Sequence, residues 1–168
     1  LRQTTFRNAS GLPDEGHVTT ARDLALLSRA VIRDFPQYYP YFSTEAFEFR
    51  GMRYPNQNRF LRTYYGGDGL KTGFVNASGN NLAASAIRSG RRLVAVVLGG
   101  NSQAWTREHA SRLLDVAYAR IDPSLVVVKA SPGGQPVPAV LVPALPATAS
   151  FTEPAGSASI AAAPPAMD

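Results

Sequence analysis

Lys71-Thr72-Gly73 is the triplet in this chain whose residue types best suit chemistry. A cation beside a hydroxyl on one rigid strand suits a carboxylate, because the ammonium supplies charge and the hydroxyl a directed donor. The glycine lets a ligand backbone approach the strand closely. An exposed strand edge at that point would offer N–H and C=O groups to an extended peptide. Alone, the same triplet also reads as a surface lysine at a strand entry, so its surroundings must decide. A guanidinium also presents two parallel donors to a carboxylate, but residue type alone singles out none of the arginines, and Arg107 by itself reads as a helix-surface arginine, solvated or hydrogen-bonded to Ser111 one turn on.

Other polar groups form weaker patterns. His17 and His109 are far apart, and neither has the spacing of a zinc ligand. His17 reads as a residue that orders a loop. Asp14 and Glu15 are adjacent, so their carboxylates point different ways and read as a solvated loop. Tyr38, Tyr39, Tyr41 and Phe42 could line a groove, although an aromatic cluster is more often core. Trp105, at a helix start, reads as packing. Asn8-Ala9-Ser10 and Asn76-Ala77-Ser78 spell the glycosylation pattern, which we set aside. The cysteine count of 0 excludes disulfides, thiolate metal sites and cysteine nucleophiles together.

These residues need elements to position them. Thr20-Ala21-Arg22-Asp23 fits a capping box, and Leu24, Leu27, Val31 and Ile32 follow at helical spacing until Phe35-Pro36. Gln37 to Phe42, with Pro36 and Pro40, predicts a short irregular helix. Phe47 and Phe49 alternate with polar neighbours in a strand that Gly51 breaks, and Asn56 to Asn58 is turn-like. Gly66-Gly67-Asp68-Gly69 predicts a flexible loop leading into a strand from Leu70 to Val75. Asn80–Arg88 and Arg91–Leu98 flank Ser89-Gly90, a tight-turn signal. In the second of these, Leu93, Ala95 and Val97 interleave with Val94, Val96 and Leu98, which predicts a strand covered on both faces. Gly99-Gly100-Asn101-Ser102 should end it, with Ser102 as helix N-cap. Ala110, Leu113, Leu114, Ala117, Tyr118 and Ile121 then form an amphipathic stripe. The order of helix, hairpin-linked strands and helix predicts an α+β fold, an antiparallel sheet with helices packed on it.

Composition bounds the rest. With 168 residues, 45% hydrophobic and 17% charged, the chain suits one packed domain and is not disordered throughout. The net charge of +5 is unevenly placed, +6 in residues 1–122 and −1 in residues 123–168, and only Lys71 and Lys129 among the 17 basic residues are lysines. The arginines are scattered, with no basic helix stripe, so a solvated basic surface is preferred to a nucleic-acid face. No apolar run is long enough to span a bilayer. The first residue is Leu1, without the pattern of a secretory leader, and the chain reads as a piece of a longer protein. Composition shifts near Asp122-Pro123, and the last 46 residues hold 9 of the 13 prolines. We expect residues 1–122 to belong to a catalytic or binding domain. We expect residues 123–168 to be a Pro/Ala-rich linker or tail, largely disordered after about 130.

The surroundings of Lys71 carry a resemblance. Asp68-Gly69-Leu70-Lys71-Thr72-Gly73-Phe74 resembles the third active-site motif of the penicillin-recognising serine enzymes. Asn8-Ala9-Ser10-Gly11-Leu12-Pro13 and the run from His17 to Arg29 resemble the segment before it in serine D-alanyl-D-alanine carboxypeptidases. Asn76 to Gly79, Leu82 to Ala86 and Leu93 to Gly100 resemble the turn and strands after it. The resemblance covers about residues 1–121. It implies part of the fold shared by β-lactamases and penicillin-binding proteins, the C-terminal part of its catalytic domain.

It also implies an acyl-transfer function: removal of the last D-alanine of a peptidoglycan stem peptide through a serine acyl-enzyme. Lys71 would supply charge near the serine hydroxyl and the substrate carboxylate. Thr72 would donate to that carboxylate, and Gly73 would admit the ligand backbone. The backbone N–H of Phe74 would be one oxyanion-hole donor, a role that tolerates phenylalanine where the family often has histidine. Arg107 falls close to where the family places a carboxylate-gripping arginine. β-Lactams would act as substrate mimics, no metal or organic cofactor would be needed, and the location would be periplasmic or otherwise outside the cytoplasmic membrane.

The family's serine-x-x-lysine motif is missing from these 168 residues, because no serine precedes Lys71 or Lys129 by three. Ser78-Gly79-Asn80 spells the family's serine-x-asparagine pattern but on the wrong side of Lys71, and reads as coincidence. We therefore expect this chain to hold half of a site, inactive alone, with the nucleophile in a missing N-terminal half that exists as another chain or was removed by proteolysis or gene truncation. The alternatives are a truncated relative that binds peptidoglycan or a partner without acylation, and a related endopeptidase or β-lactamase.

Overall fold

The Thr20 hydroxyl accepts the Asp23 N–H at 3.2 Å and starts α1 (Ala21–Asp34), which packs its Leu27–Val31 side toward the sheet. The structure, a computed structural model, describes residues 1–125; the first three residues of the expected tail form a 3-10 turn (Pro123–Leu125), and the rest of it lies outside the described residues. A 3-10 helix (Pro36–Ser43) follows, then a hairpin of β1 (Ala46–Phe49) and β2 (Met52–Pro55), and one turn of helix, α2 (Phe60–Thr63). The main sheet is antiparallel and runs in order β3 (Gly67–Val75), β4 (Gly79–Arg88), β5 (Arg91–Gly100). The long helix α3 (Gln103–Ile121) closes the fold, capped by Ser102 as its sequence predicts. None of the described helices is long and apolar enough to cross a membrane.

The register explains the layers. Leu82 lies opposite Val97, Ala84 opposite Ala95 and Ala86 opposite Leu93, so one sheet face carries all six. α3 packs on that face with Ala110, Leu114 and Tyr118, and Phe60 and Tyr64 complete the core. α1 covers the opposite face at β5, so this strand is enclosed on both sides, as its unbroken apolar run predicts. Along its outer edge β5 has no strand partner among the described residues. The turn at Ser89-Gly90 has positive φ at both residues (45° and 76°), the left-handed geometry that suits a two-residue hairpin.

Four expectations need correction. Gly67 to Gly69 is no flexible loop but the start of β3, bulged between Gly67 and Gly69. These glycines serve close packing: a Cβ on Gly69 would stand 2.6 Å from the Tyr39 hydroxyl. The strand β5 runs two residues beyond Leu98 and ends at Gly100, inside the expected Gly99–Ser102 terminator, where a Cβ on Gly100 would meet Thr106 Oγ1 of α3. The buried stripe of α3 is narrower than its sequence suggests: Thr106, Ala110, Leu114 and Tyr118 are buried, while Leu113 and Ile121 are exposed. The strand β2 and the turn α2 were not foreseen.

The fourth correction concerns Asp23, which completes only half of a capping box. Its Oδ2 accepts from Thr4 Oγ1 at 2.7 Å and from the Gln3 N–H at 2.8 Å, fastening the N-terminal segment to α1. The Thr4 hydrogen bond is the main cause that holds the Asp23 carboxyl below the ordinary value of 3.8. A carboxyl lowered in the folded state stabilises above its unfolded pKa, and that contribution disappears as pH falls through the folded value. The melting-temperature gap between the native chain and Asp23→Asn should therefore be widest above the unfolded carboxyl pKa and close as pH falls through the lowered folded value. A gap that does not change with pH would show that Asp23 is not the anchor.

Candidate active site

Lys71, Thr72, Gly73 and Phe74 sit on β3, which pairs with β4 on one side and has a free edge on the other among the described residues. Beside them opens a cleft of about 300 Å³, which Arg107 and Gln103 from the start of α3 also line. Thus the five residues singled out by sequence border one cavity. A Cβ on Gly73 would meet nothing within 4 Å, so the strand surface there is open to an approaching backbone. The Phe74 ring is 61% exposed. The Lys71 ammonium donates to the Thr72 carbonyl, which keeps it at the strand margin. The Arg107 guanidinium has no hydrogen-bond or ion-pair partner among the described residues; Ser111 Oγ donates to the Arg107 backbone carbonyl instead. Among the described residues the cavity wall includes Arg59, Lys71 and Arg107 and no carboxylate, so it favours an anion.

A second, larger cavity of about 800 Å³ lies along the first half of β3. Its walls include Tyr41, Phe42 and the stacked pair Phe47–Tyr54, whose centroids lie 5.1 Å apart. Lys71 and Thr72 border this space as well. The aromatic cluster seen in sequence therefore divides: Tyr39 is buried, Tyr41 and Phe42 wall the cavity, and Tyr38 is exposed.

The start of β3 is held from below. Asp68 pairs with Arg92 and accepts from the Tyr39 hydroxyl at 3.1 Å, while Arg92 also donates to the buried Ser85 hydroxyl at 3.0 Å. The Arg92 guanidinium lies 4.5 Å from the centre of the Tyr39 ring. Burial is the main reason the Tyr39 phenol is pushed up to about 12, so it remains a donor. This network fixes the strand three residues before Lys71.

The other candidates lie elsewhere. His17 Nδ1 accepts from the Arg7 N–H at 3.5 Å, and its ring meets Phe6 edge-on, in keeping with a loop-ordering role. His109 stacks on Trp105, with ring centroids 3.5 Å apart. Asp14 accepts from Gly16 N–H within its own loop. Ser78 accepts from Asn81 Nδ2 in the β3–β4 turn. Sequence reading missed Asn56, Gln57 and Asn58 as wall residues, because asparagine and glutamine in a turn carry no signal beyond the turn itself.

A sheet with a Lys-Thr-Gly edge strand, helices on both faces and a cationic cleft defines the penicillin-recognising class of fold. Residues 1–102 match the family model described as D-alanyl-D-alanine carboxypeptidase, peptidase family S11, and the chain belongs to that family. It is 40% identical over 115 residues to the D-alanyl-D-alanine carboxypeptidase DacC of Escherichia coli, a match covering 68% of this chain and 29% of that protein. Among solved structures it resembles penicillin-binding protein 5 of Haemophilus influenzae (35% identity, TM-score 0.65, 69% of this chain and 34% of that one). It also resembles penicillin-binding protein D2 of Listeria monocytogenes, solved with ampicillin bound (32% identity, TM-score 0.64, 68% and 48%). The chain thus spans less than a third of the length of the curated relative.

Proposed function

We propose that this chain supplies the Lys-Thr-Gly side of a serine D-alanyl-D-alanine carboxypeptidase site. The observation that carries the reading is the convergence of Lys71, Thr72 and Arg107 on one cleft that no carboxylate lines among the described residues, beside the β3 edge that no described strand pairs. In the reaction, a serine Oγ attacks the carbonyl carbon of the penultimate D-alanine and loses its proton. The peptide bond breaks, the departing D-alanine takes up a proton, and water then cleaves the acyl ester. Thr72 Oγ and Arg107 hold the terminal carboxylate, and the Lys71 charge favours both that carboxylate and the nucleophile's deprotonation. The Phe74 backbone N–H is one oxyanion donor. The nucleophile belongs to a serine-x-x-lysine motif that these residues do not contain.

The substrate is the stem peptide of peptidoglycan, the location is outside the cytoplasmic membrane, and β-lactams enter the cleft as substrate mimics. The ampicillin-bound relative supports that last point. Residues 1–122 form part of the catalytic domain, and residues 123–168 lie beyond it.

A fluorescent penicillin tests the reading. The 168-residue chain alone should take up no covalent label. Mixed with a separately produced segment bearing the serine-x-x-lysine and serine-x-asparagine motifs, it should restore labelling. Labelling of the chain by itself would refute our placement of the nucleophile. A mixture that stays inert would favour a truncated relative that binds peptidoglycan without acylation.

A further inference from the structure

The two cavities beside β3 have four wall residues in common: Gln57, Asn58, Lys71 and Thr72. Of these, Asn58 is only 4% exposed, and its Nδ2 is the one buried side-chain nitrogen or oxygen without a partner among the described residues. A buried amide N–H left unpaired is costly and calls for an acceptor. Every other polar atom of Asn58 is engaged. Its backbone N–H donates to Asn56 Oδ1 at 2.8 Å, and its carbonyl accepts from Leu61 N–H at 3.2 Å. Its Oδ1 accepts from the Phe60 N–H at 3.2 Å at the start of α2. That last bond fixes the amide orientation, because turning it over would bring two donors face to face. Asn56 in turn is tied to Thr44 and Glu45 carbonyls, so the whole segment is braced against the β1–β2 hairpin.

We propose that Asn58 is a further ligand-binding residue of the cleft, its Nδ2 donating to a carboxylate oxygen of the same anion that Lys71 and Thr72 face. The inference rests on the carboxypeptidase reading for the identity of that anion. The chemistry needs only an acceptor of negative charge at the partition between the cavities. Lys71 supplies charge, Thr72 a hydroxyl, and Asn58 a neutral donor whose direction is preset by its Oδ1 tether. A donor oriented before binding costs the ligand no reorganisation.

Asn58→Asp separates this role from a structural one. The aspartate retains the oxygen that accepts from Phe60 N–H, and aspartate is a good helix-start acceptor. It replaces the free donor with a negative charge. The 168-residue chain, labelled with nitrogen-15, is titrated with diacetyl-L-lysyl-D-alanyl-D-alanine and, separately, with N-acetyl-D-alanine. The tripeptide should move the Asn58 side-chain amide resonance together with the Thr72 backbone amide. Asn58→Asp, which buries an unpaired carboxylate and so lowers the melting temperature, should bind it at least about tenfold more weakly at a temperature where the variant remains folded. Movement of Thr72 with an unmoved Asn58 side chain overturns the proposal and leaves the carboxypeptidase reading standing. A silent tripeptide with an Asn58 shift by N-acetyl-D-alanine supports the proposal and overturns that reading. Silence of both ligands at Thr72 and Asn58 overturns both.

Discussion

Arg88→Ala should destabilise the chain by about 3 kcal/mol, several times the effect of Asp115→Asn. Arg88 is 4% exposed on the β4 face beneath α3. Its guanidinium lies 4.6 Å from the ring centres of both Tyr64 and Tyr118. Its Nε donates to the Tyr65 carbonyl at 3.3 Å, and an Nη reaches Asp115 at 3.2 Å. Alanine removes the ring contacts, a carbonyl partner and the volume that fills the space between α2 and α3. Asp115 is different, because its side chain is 40% exposed and water replaces the lost attraction. Asparagine there also retains an acceptor for the Tyr64 hydroxyl, now 2.7 Å away. Burial first, and then that bond to Asp115, pushes the Tyr64 phenol well above its usual range, so it stays a donor. Urea denaturation of the two variants measures the contrast, and equal losses would mean that the ion pair outweighs the packing.

Lys71→Ala in the complete, acylating protein should slow penicillin labelling by roughly a hundred- to a thousandfold, the loss expected when one preorganised electrostatic contact is removed. Its stability should scarcely change. Lys71 is exposed, and among the described residues its ammonium donates only to the neighbouring Thr72 carbonyl. The two variants thus separate cleanly: one moves the denaturation midpoint, the other the acylation rate. Lys71→Arg should recover part of the loss, since charge returns on a longer, planar head. Near-normal labelling of Lys71→Ala would remove this residue from the chemistry.

Much of the frame could be read from residue types, and the reason is local. Thr20 and Ser102 start helices because their hydroxyls satisfy a free N–H, a matter of one turn of chain. Ser89-Gly90 makes a tight turn because the backbone needs φ above zero at two successive residues. The cleft residues on β3 were legible because the sequence around Lys71 resembles the third motif of a known enzyme family, whereas the triplet alone reads as a surface lysine at a strand entry. What stayed hidden depends on distant partners. Gly67 to Gly69 looks flexible until Tyr39, about thirty residues earlier, is seen packed against it. Asp23 looks like half of a cap until Gln3 and Thr4 reach its carboxylate. Asn58 looks like any turn asparagine, and only burial shows that one of its donors has no acceptor.

The outer margin of β5 has a practical consequence. Between Arg92 and Gly99 every residue is apolar, and the backbone on that side meets no strand among the described residues. Neither lysine nor proline interrupts it, so nothing discourages a neighbouring molecule from zipping on. Dilution and brief storage should therefore keep preparations of the isolated chain dispersed, whereas concentrating them invites fibrous self-assembly.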